Sequence, residues 1–177
     1  MNYKEIIEKR RSIRSFKTIK IENEIIQKLT DSLQKAPSSR SLFPCEFIVV
    51  NDEDKLLKLS GSKDHGSTFL ANAPLAIVVI ANPEISDVWI EDASIASTII
   101  MLTAVDLGLA SCWVQTRKRM TGKSSSEDYV KEILKIPSNY RVAHILALGY
   151  PDDKPAPEKK KKFDSSKIFF NSYDKIK

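Results

Sequence analysis

Apolar positions along the chain change period several times, and each change marks an element. Asn2 followed by Ile6 and Ile7 reads as a capped short helix from Tyr3 to Arg11. Ile21, Ile25, Ile26, Leu29, Leu33 and Ala36 recur at helical spacing, which predicts a helix over 21–35 that ends at Pro37. Pro37 to Pro44, PSSRSLFP, is a loop, because two prolines bracket small and polar residues. Phe47–Val50 and Leu75–Ile80 are continuous apolar runs and read as buried strands, separated by a helix that Asn51 or Asp52 caps and Gly61 closes. Asp87 is the expected cap of a long helix over 88–107, closed by Gly108. Its apolar residues run nearly all round, so it belongs at the centre, with Asp92 expected at a cap or facing solvent. Ser111–Gln115 and Arg141–Tyr150 read as strands. Glu127–Leu134 reads as a helix, with Ser124 and Glu127 as a capping box.

Few, continuous strands separated by helices predict a sheet covered on both faces, hence an α/β or α+β fold. The 177 residues fit one domain, 1–177, without an internal repeat, and 151–177 form a proline- and lysine-rich extension. The apolar share of 42% beside 29% charged residues is that of a soluble globule. The longest mostly apolar stretch, Ala93 to Val105, is too short to span a bilayer. Two distant cysteines, Cys45 and Cys112, form no disulfide framework and point to a reducing cytoplasm.

The net charge of +5 is uneven. Residues 1–20 carry seven basic and two acidic side chains, residues 151–177 eight and five, and the body is mildly acidic. A phosphorylated small ligand gripped by both ends would explain this, and nucleic acid is a weaker alternative. Several chemistries are excluded or left unsupported. No GxGxxG follows a strand, and Gly122-Lys123-Ser124 lacks the upstream glycine of a phosphate loop. His65 and His144 belong to no metal-ligand pattern, so no metal site is expected, and His144 reads as a hydrogen-bonded core or interface residue. Cys112 reads as buried and inert, and no nucleophile pair is evident.

What remains is a basic constellation. Arg10, Arg11, Ser12 and Arg14 offer three guanidiniums and a hydroxyl without a carboxylate among them, a donor set suited to phosphate; an exposed basic helix end is the plainer reading. Pro37, Ser38, Ser39 and Ser41 add hydroxyls and backbone N–H groups on a loop that, alone, is an ordinary turn.

The order RRSIR, AP-S-S, LANAPLAIVV, EDASIAS, GLASCWVQ and LALGYP resembles the FMN-dependent nitroreductase family, from Tyr3 to about Phe163. The resemblance implies an α+β fold, with a mainly antiparallel sheet flanked by helices in an intertwined cytoplasmic homodimer. It implies FMN sites at the dimer interface, and hydride taken from NADH or NADPH and passed to nitroaromatics, quinones or similar small acceptors by ping-pong turnover, with no catalytic side chain required. It assigns Arg10, Arg11, Ser12 and Arg14 to the FMN phosphate, ribityl chain and pyrimidine edge, with Arg14 the cation expected near N1 and C2=O. That role for Arg14 presumes a helical face shared with Arg10. Pro37, Ser38, Ser39 and Ser41 match a second segment contributed by the other subunit, although Phe43, Pro44 and Cys45 stand where the family carries Gln-Pro-Trp. Trp113, Val114 and Gln115 match the stretch beside flavin N5, with Gln115 and Thr116 replacing Glu-Gly. Lys160 or Lys161 matches a tail cation that reaches the phosphate. A narrow-substrate flavoenzyme of the same superfamily, and a non-catalytic binder of an anionic ligand or RNA, are the alternatives.

Overall fold

In a computed structural model, residues 1–152 and 164–173 are described. Helices α1 (Tyr3–Lys9), α2 (Asn23–Leu33), α3 (Glu53–Ser60), α4 (Trp89–Asp106) and α5 (Ser126–Leu134) alternate with strands β1 (Cys45–Val50), β2 (Leu75–Ala81), β3 (Ala110–Gln115), β4 (Met120–Thr121), β5 (Ser124–Ser125) and β6 (Arg141–Gly149). Four strands form one antiparallel sheet in the order β1-β2-β6-β3; β4 and β5 form a small hairpin. β2 is buried along its whole length and β6 beyond Arg141, which is why both read as unbroken apolar runs rather than alternating ones.

Side chains of the sheet divide between two cores. Ala76, Val78, Ile145 and Ala147 face α3 and α5, while Ile77, Val79, Leu146 and Leu148 face α2 and α4. Gly108, at φ +77°, closes α4 in the left-handed conformation and turns the chain into β3. A bulge interrupts β2–β6 pairing beside His144, and it places Ala143 and its neighbour together on the α4 side.

Several local expectations shift. The first helix stops at Lys9, because Arg10 adopts an extended conformation and the chain then runs beside β3. The second helix is trimmed to Asn23–Leu33. Val88, not Asp87, occupies the N-cap of α4, and no side chain caps it; Asp87 pairs with Arg40 instead. The cap of α5 is Ser125, whose Oγ accepts from the Asp128 N–H at 3.0 Å. Glu127 is drawn away to Arg141 and to the Val142 N–H, so the Ser124–Glu127 box does not form.

The segment after α1 is a strap across the sheet end. Ser12 bridges Ser111 in parallel and Phe16 bridges Pro151. Close packing at Gly149 seats it: a Cβ there would lie 2.7 Å from Pro74 Cδ and 2.9 Å from Phe16 Cδ1. Among the described residues no helix is long and apolar enough to cross a membrane.

Candidate functional site

The arginine segment lies on the strap, not on a helix. The Ile13 N–H donates to Ser111 O at 3.0 Å and the Lys17 N–H to Tyr150 O at 2.9 Å. An extended backbone alternates its side chains, so Arg10, Ser12 and Arg14 share one side by period two. The helical argument for pairing Arg10 with Arg14 is therefore replaced by a strand one, with the same pairing as its outcome. Arg11 and Ile13 take the other side and line a shallow cavity of about 310 Å3 with Lys9, Leu109 and Pro151. Because the Ser12–Ser111 bridge is parallel, the chain advances with β3, and Arg14 comes closer than Arg10 to the strand's Gln115 end.

Arg14 is exposed, with its guanidinium 5.9 Å from the centre of the Phe69 ring. Neither Arg10 nor Arg14 pairs with a carboxylate among the described residues. Burial pushes the Cys112 thiol up, against the opposing pull of Arg14 and Lys63, so both cations stand near the middle of β3. The expectation of a buried Cys112 holds.

At the far end of β3 a connected group of polar side chains appears. Trp113 stacks on His144 with ring centroids 3.4 Å apart and planes at 24°. The indole N–H of Trp113 donates to Gln115 Oε1 at 2.9 Å, and Gln115 Nε2 donates to Arg117 O at 3.0 Å. His144 Nε2 meets the Ser97 hydroxyl of α4 in a short hydrogen bond. Burial pushes the His144 pKa down to about 3, so the ring is neutral at working pH. Gln115 thus spends its amide on Trp113 and on the backbone just past the strand. Val114 points the other way, into the α3–α5 core.

The loop Pro37–Pro44 is shaped by backbone strain. Arg40, Ser41 and Phe43 all adopt positive φ, at 53°, 55° and 48°. Two side chains hold it there: Ser38 Oγ accepts from the Phe43 N–H at 2.9 Å, and Asp92 Oδ1 accepts from the Ser39 N–H at 2.8 Å. Asp92 is therefore neither a cap nor solvent-facing; it is buried, 4% exposed, and also receives the Ser86 hydroxyl. Burial, with the Asp92 charge, pushes the neighbouring Cys45 thiol up to about 12.

Within one chain the two candidate segments do not meet. Asp92, which anchors Ser39, lies in the first turn of α4, and Asp106, which binds the α-amino group of Met1 just ahead of α1, ends it. Fourteen residues of helix separate them, about 21 Å. Lys160 and Lys161 lie outside the described residues. The His144–Ser97 pair and the Asp92 anchor were not singled out from sequence as site elements. Asp92 carried a signal, since it falls within the inward stripe of Trp89, Ala93 and Ala96.

The described residues suit a phosphorylated, ring-bearing cofactor. Two guanidiniums stand without carboxylates, and the buried hydroxyls of Ser111, beside Ser12, and Thr116, beside Gln115, have no hydrogen-bond partner among the described residues. Among those residues no cluster of His, Cys, Asp and Glu could hold a metal.

An antiparallel sheet between helices, crossed by an arginine strap at one strand end, defines an α+β protein of nitroreductase type. A family model described as "Putative TM nitroreductase" matches residues 2–175, and the chain belongs to that family. It is similar to a solved FMN-dependent nitroreductase from Clostridium difficile R20291, at 45% identity and TM-score 0.90, covering 95% of this chain and 98% of that one. A structure called a putative NADH oxidase, from Clostridium acetobutylicum, is 32% identical with TM-score 0.84, covering 95% and 99%. A curated relative from Archaeoglobus fulgidus, named a putative NADH dehydrogenase/NAD(P)H nitroreductase, is 37% identical over 90% of this chain and 91% of its own.

Proposed function

We propose that the chain is an FMN-dependent oxidoreductase that takes hydride from NAD(P)H and reduces nitroaromatics, quinones or similar small acceptors in alternating half-reactions. The observation that carries this reading is the strap: it brings Arg10 and Arg14, neither paired with a carboxylate among the described residues, alongside the β3 strand that ends in Gln115. Bound FMN supplies the hydride chemistry, and the protein's part is to bind, orient and tune it. Arg10, Arg11 and Ser12 hold the phosphate and ribityl chain. Arg14, further along β3, supplies positive charge to the pyrimidine edge. The Trp113–Gln115 stretch forms the wall past which donor and acceptor arrive in turn.

The roughly 21 Å between Asp92 and Asp106 along α4 supports a shared site, in which Ser38, Ser39 and Ser41 of one protomer complete the arginine segment of another in a homodimer. The test is direct. The purified protein, reconstituted with excess FMN, binds one FMN per chain and absorbs near about 450 nm. Anaerobic NAD(P)H bleaches it, and double-reciprocal plots against a quinone are parallel. FAD as the bound flavin, no flavin uptake, or intersecting lines would overturn the corresponding part of the reading.

A further inference from the structure

Directly after Gln115 the chain forms a basic hairpin that the reading above leaves without a role. Residues 117–123 carry Arg117, Lys118, Arg119 and Lys123, and no acidic residue. Lys118, Arg119 and Lys123 are exposed, and none of the four pairs with a carboxylate among the described residues. Such a concentration of unpaired positive charge creates a local positive potential that attracts anions.

The hairpin is also firmly placed. The Arg117 N–H donates at 3.1 Å to Ala143 O, of the residue that the bulge leaves without a β2 partner. Thr121 Oγ1 donates to Gly61 O at 2.7 Å, the Gly122 N–H to Asp64 Oδ1 at 2.7 Å, and the Asp64 N–H to Met120 O at 3.1 Å. Lys118 at φ 57° and Gly122 at φ 58° set its turns. Two acidic groups stand nearby and both are engaged: Asp64 with the Gly122 N–H, and Asp128 with Ser125. The same anchoring loop carries Lys63, which adds a fifth cation between the hairpin and β3.

Four residues separate Gln115 from Arg119, at most roughly 13 Å of extended chain. A donor whose nicotinamide lies against the Gln115 end therefore carries its adenosine phosphates within reach of the hairpin. NADH and NADPH differ only in the 2′-phosphate of the adenosine ribose, a compact group with near two negative charges. Exposed Lys and Arg side chains free of competing carboxylates favour the more highly charged dinucleotide. We propose that the hairpin 117–123, through Lys118, Arg119 and Lys123, is the phosphate-recognition element for the hydride donor and selects NADPH over NADH.

This rests on the function proposed above, and the experiment separates the two. Steady-state kcat/KM is measured for both dinucleotides with one quinone, in the FMN-saturated wild type and in Lys118→Glu/Arg119→Glu. Binding of 2′,5′-ADP and of 5′-AMP is measured by calorimetry on the same proteins. The milder Arg119→Gln guards against misfolding of the double variant, and FMN occupancy reports the fold. The wild type prefers NADPH by about tenfold or more, and 2′,5′-ADP binds more tightly than 5′-AMP. In the double variant the NADPH-to-NADH ratio falls at least about fivefold, mostly through KM, and the advantage of 2′,5′-ADP is lost; Arg119→Gln moves both in the same direction. An unchanged ratio in both variants, or a wild type that prefers NADH, overturns the assignment to the hairpin. If 2′,5′-ADP binds as expected while neither dinucleotide reduces bound FMN, the oxidoreductase reading falls and the hairpin's preference for the 2′-phosphate stands.

Discussion

His144 shows how one side chain ties a buried position to a measurable property of the protein. It is buried between Trp113 and the Ser97 hydroxyl, and its pKa is held down near 3 by burial. The unfolded chain binds a proton at an ordinary histidine pKa of about 6.5. As pH falls below that value the unfolded state gains a proton that the native state does not take, and stability is lost down to the folded pKa. Between pH 7 and pH 5 this one group costs about 2 kcal/mol. Urea unfolding of wild type and His144→Gln at both pH values measures it: the wild type loses about that much more than the variant over the interval. Equal losses would mean that the imidazole is not held neutral. The network was only half legible in the sequence. An isolated histidine inside an apolar strand reads as a satisfied core residue, and that held. Its partners, Ser97 and Trp113, come from two other elements, and no local spacing announces them.

At the scale of elements, α5 is fastened to β6 by a carboxylate. Glu127, nearly buried, takes the Arg141 guanidinium at both oxygens and the Val142 N–H at 2.9 Å. Burial raises its pKa, but these donors outweigh burial and hold it below the ordinary value. The stabilisation is present above the unfolded carboxylate pKa and is lost as pH falls through the lower folded one. Because Arg141 is half exposed, solvent screening lowers the worth of the pair, and Glu127→Gln destabilises by about 1–2 kcal/mol at pH 7. Thermal melts at pH 7 and near about pH 3 test this, since the gap to wild type narrows at the acid end. Glu127 also explains the misplaced cap. Sequence spacing matched Ser124 with Glu127, but the distant Arg141 competed for the carboxylate, and the cap is Ser125, whose hydroxyl exchanges hydrogen bonds with Asp128. The order of helices and strands was readable from apolar periodicity. Caps and ends, which answer to tertiary partners, were less so. The first helix was carried two residues too far, to Arg11, because the pairing of the strap with Ser111 lies about a hundred residues away.

For the whole molecule the decisive quantity is the length of α4. It lies between the anchor of the serine loop at Asp92 and the anchor of the amino terminus at Asp106, and under the shared-site proposal one chain holds only part of each site. The shared-site proposal makes a prediction by complementation. Arg10→Ala and a bulky Ser39→Trp each damage both sites of their own homodimer. In a mixed dimer one site collects both substitutions and the other neither. Co-expressed, doubly tagged heterodimers therefore regain tight FMN binding in one site of two, read as flavin content after desalting. A heterodimer as poor in FMN as both parents would show that the segments do not share a site in this way.

Gly149 gives the strap an unusual dependence on a single absent atom. Any larger residue there meets Pro74 and Phe16 at once, at distances that real Cβ atoms do not show. The sheet cannot yield, since β6 is paired on both sides, so the strap would be the part to move. Its attachments include three backbone hydrogen bonds, the Ser15 hydroxyl on Asp152 and the seated Phe16 ring, without a helix or a full ladder behind them. A methyl group at position 149 would thus act as a wedge, prying open a small cooperative unit while the rest of the fold stayed closed. The three arginines ride on that unit, so the anion grip proposed for them would depend on tolerance for bulk at Gly149, a residue with no side chain to offer a ligand.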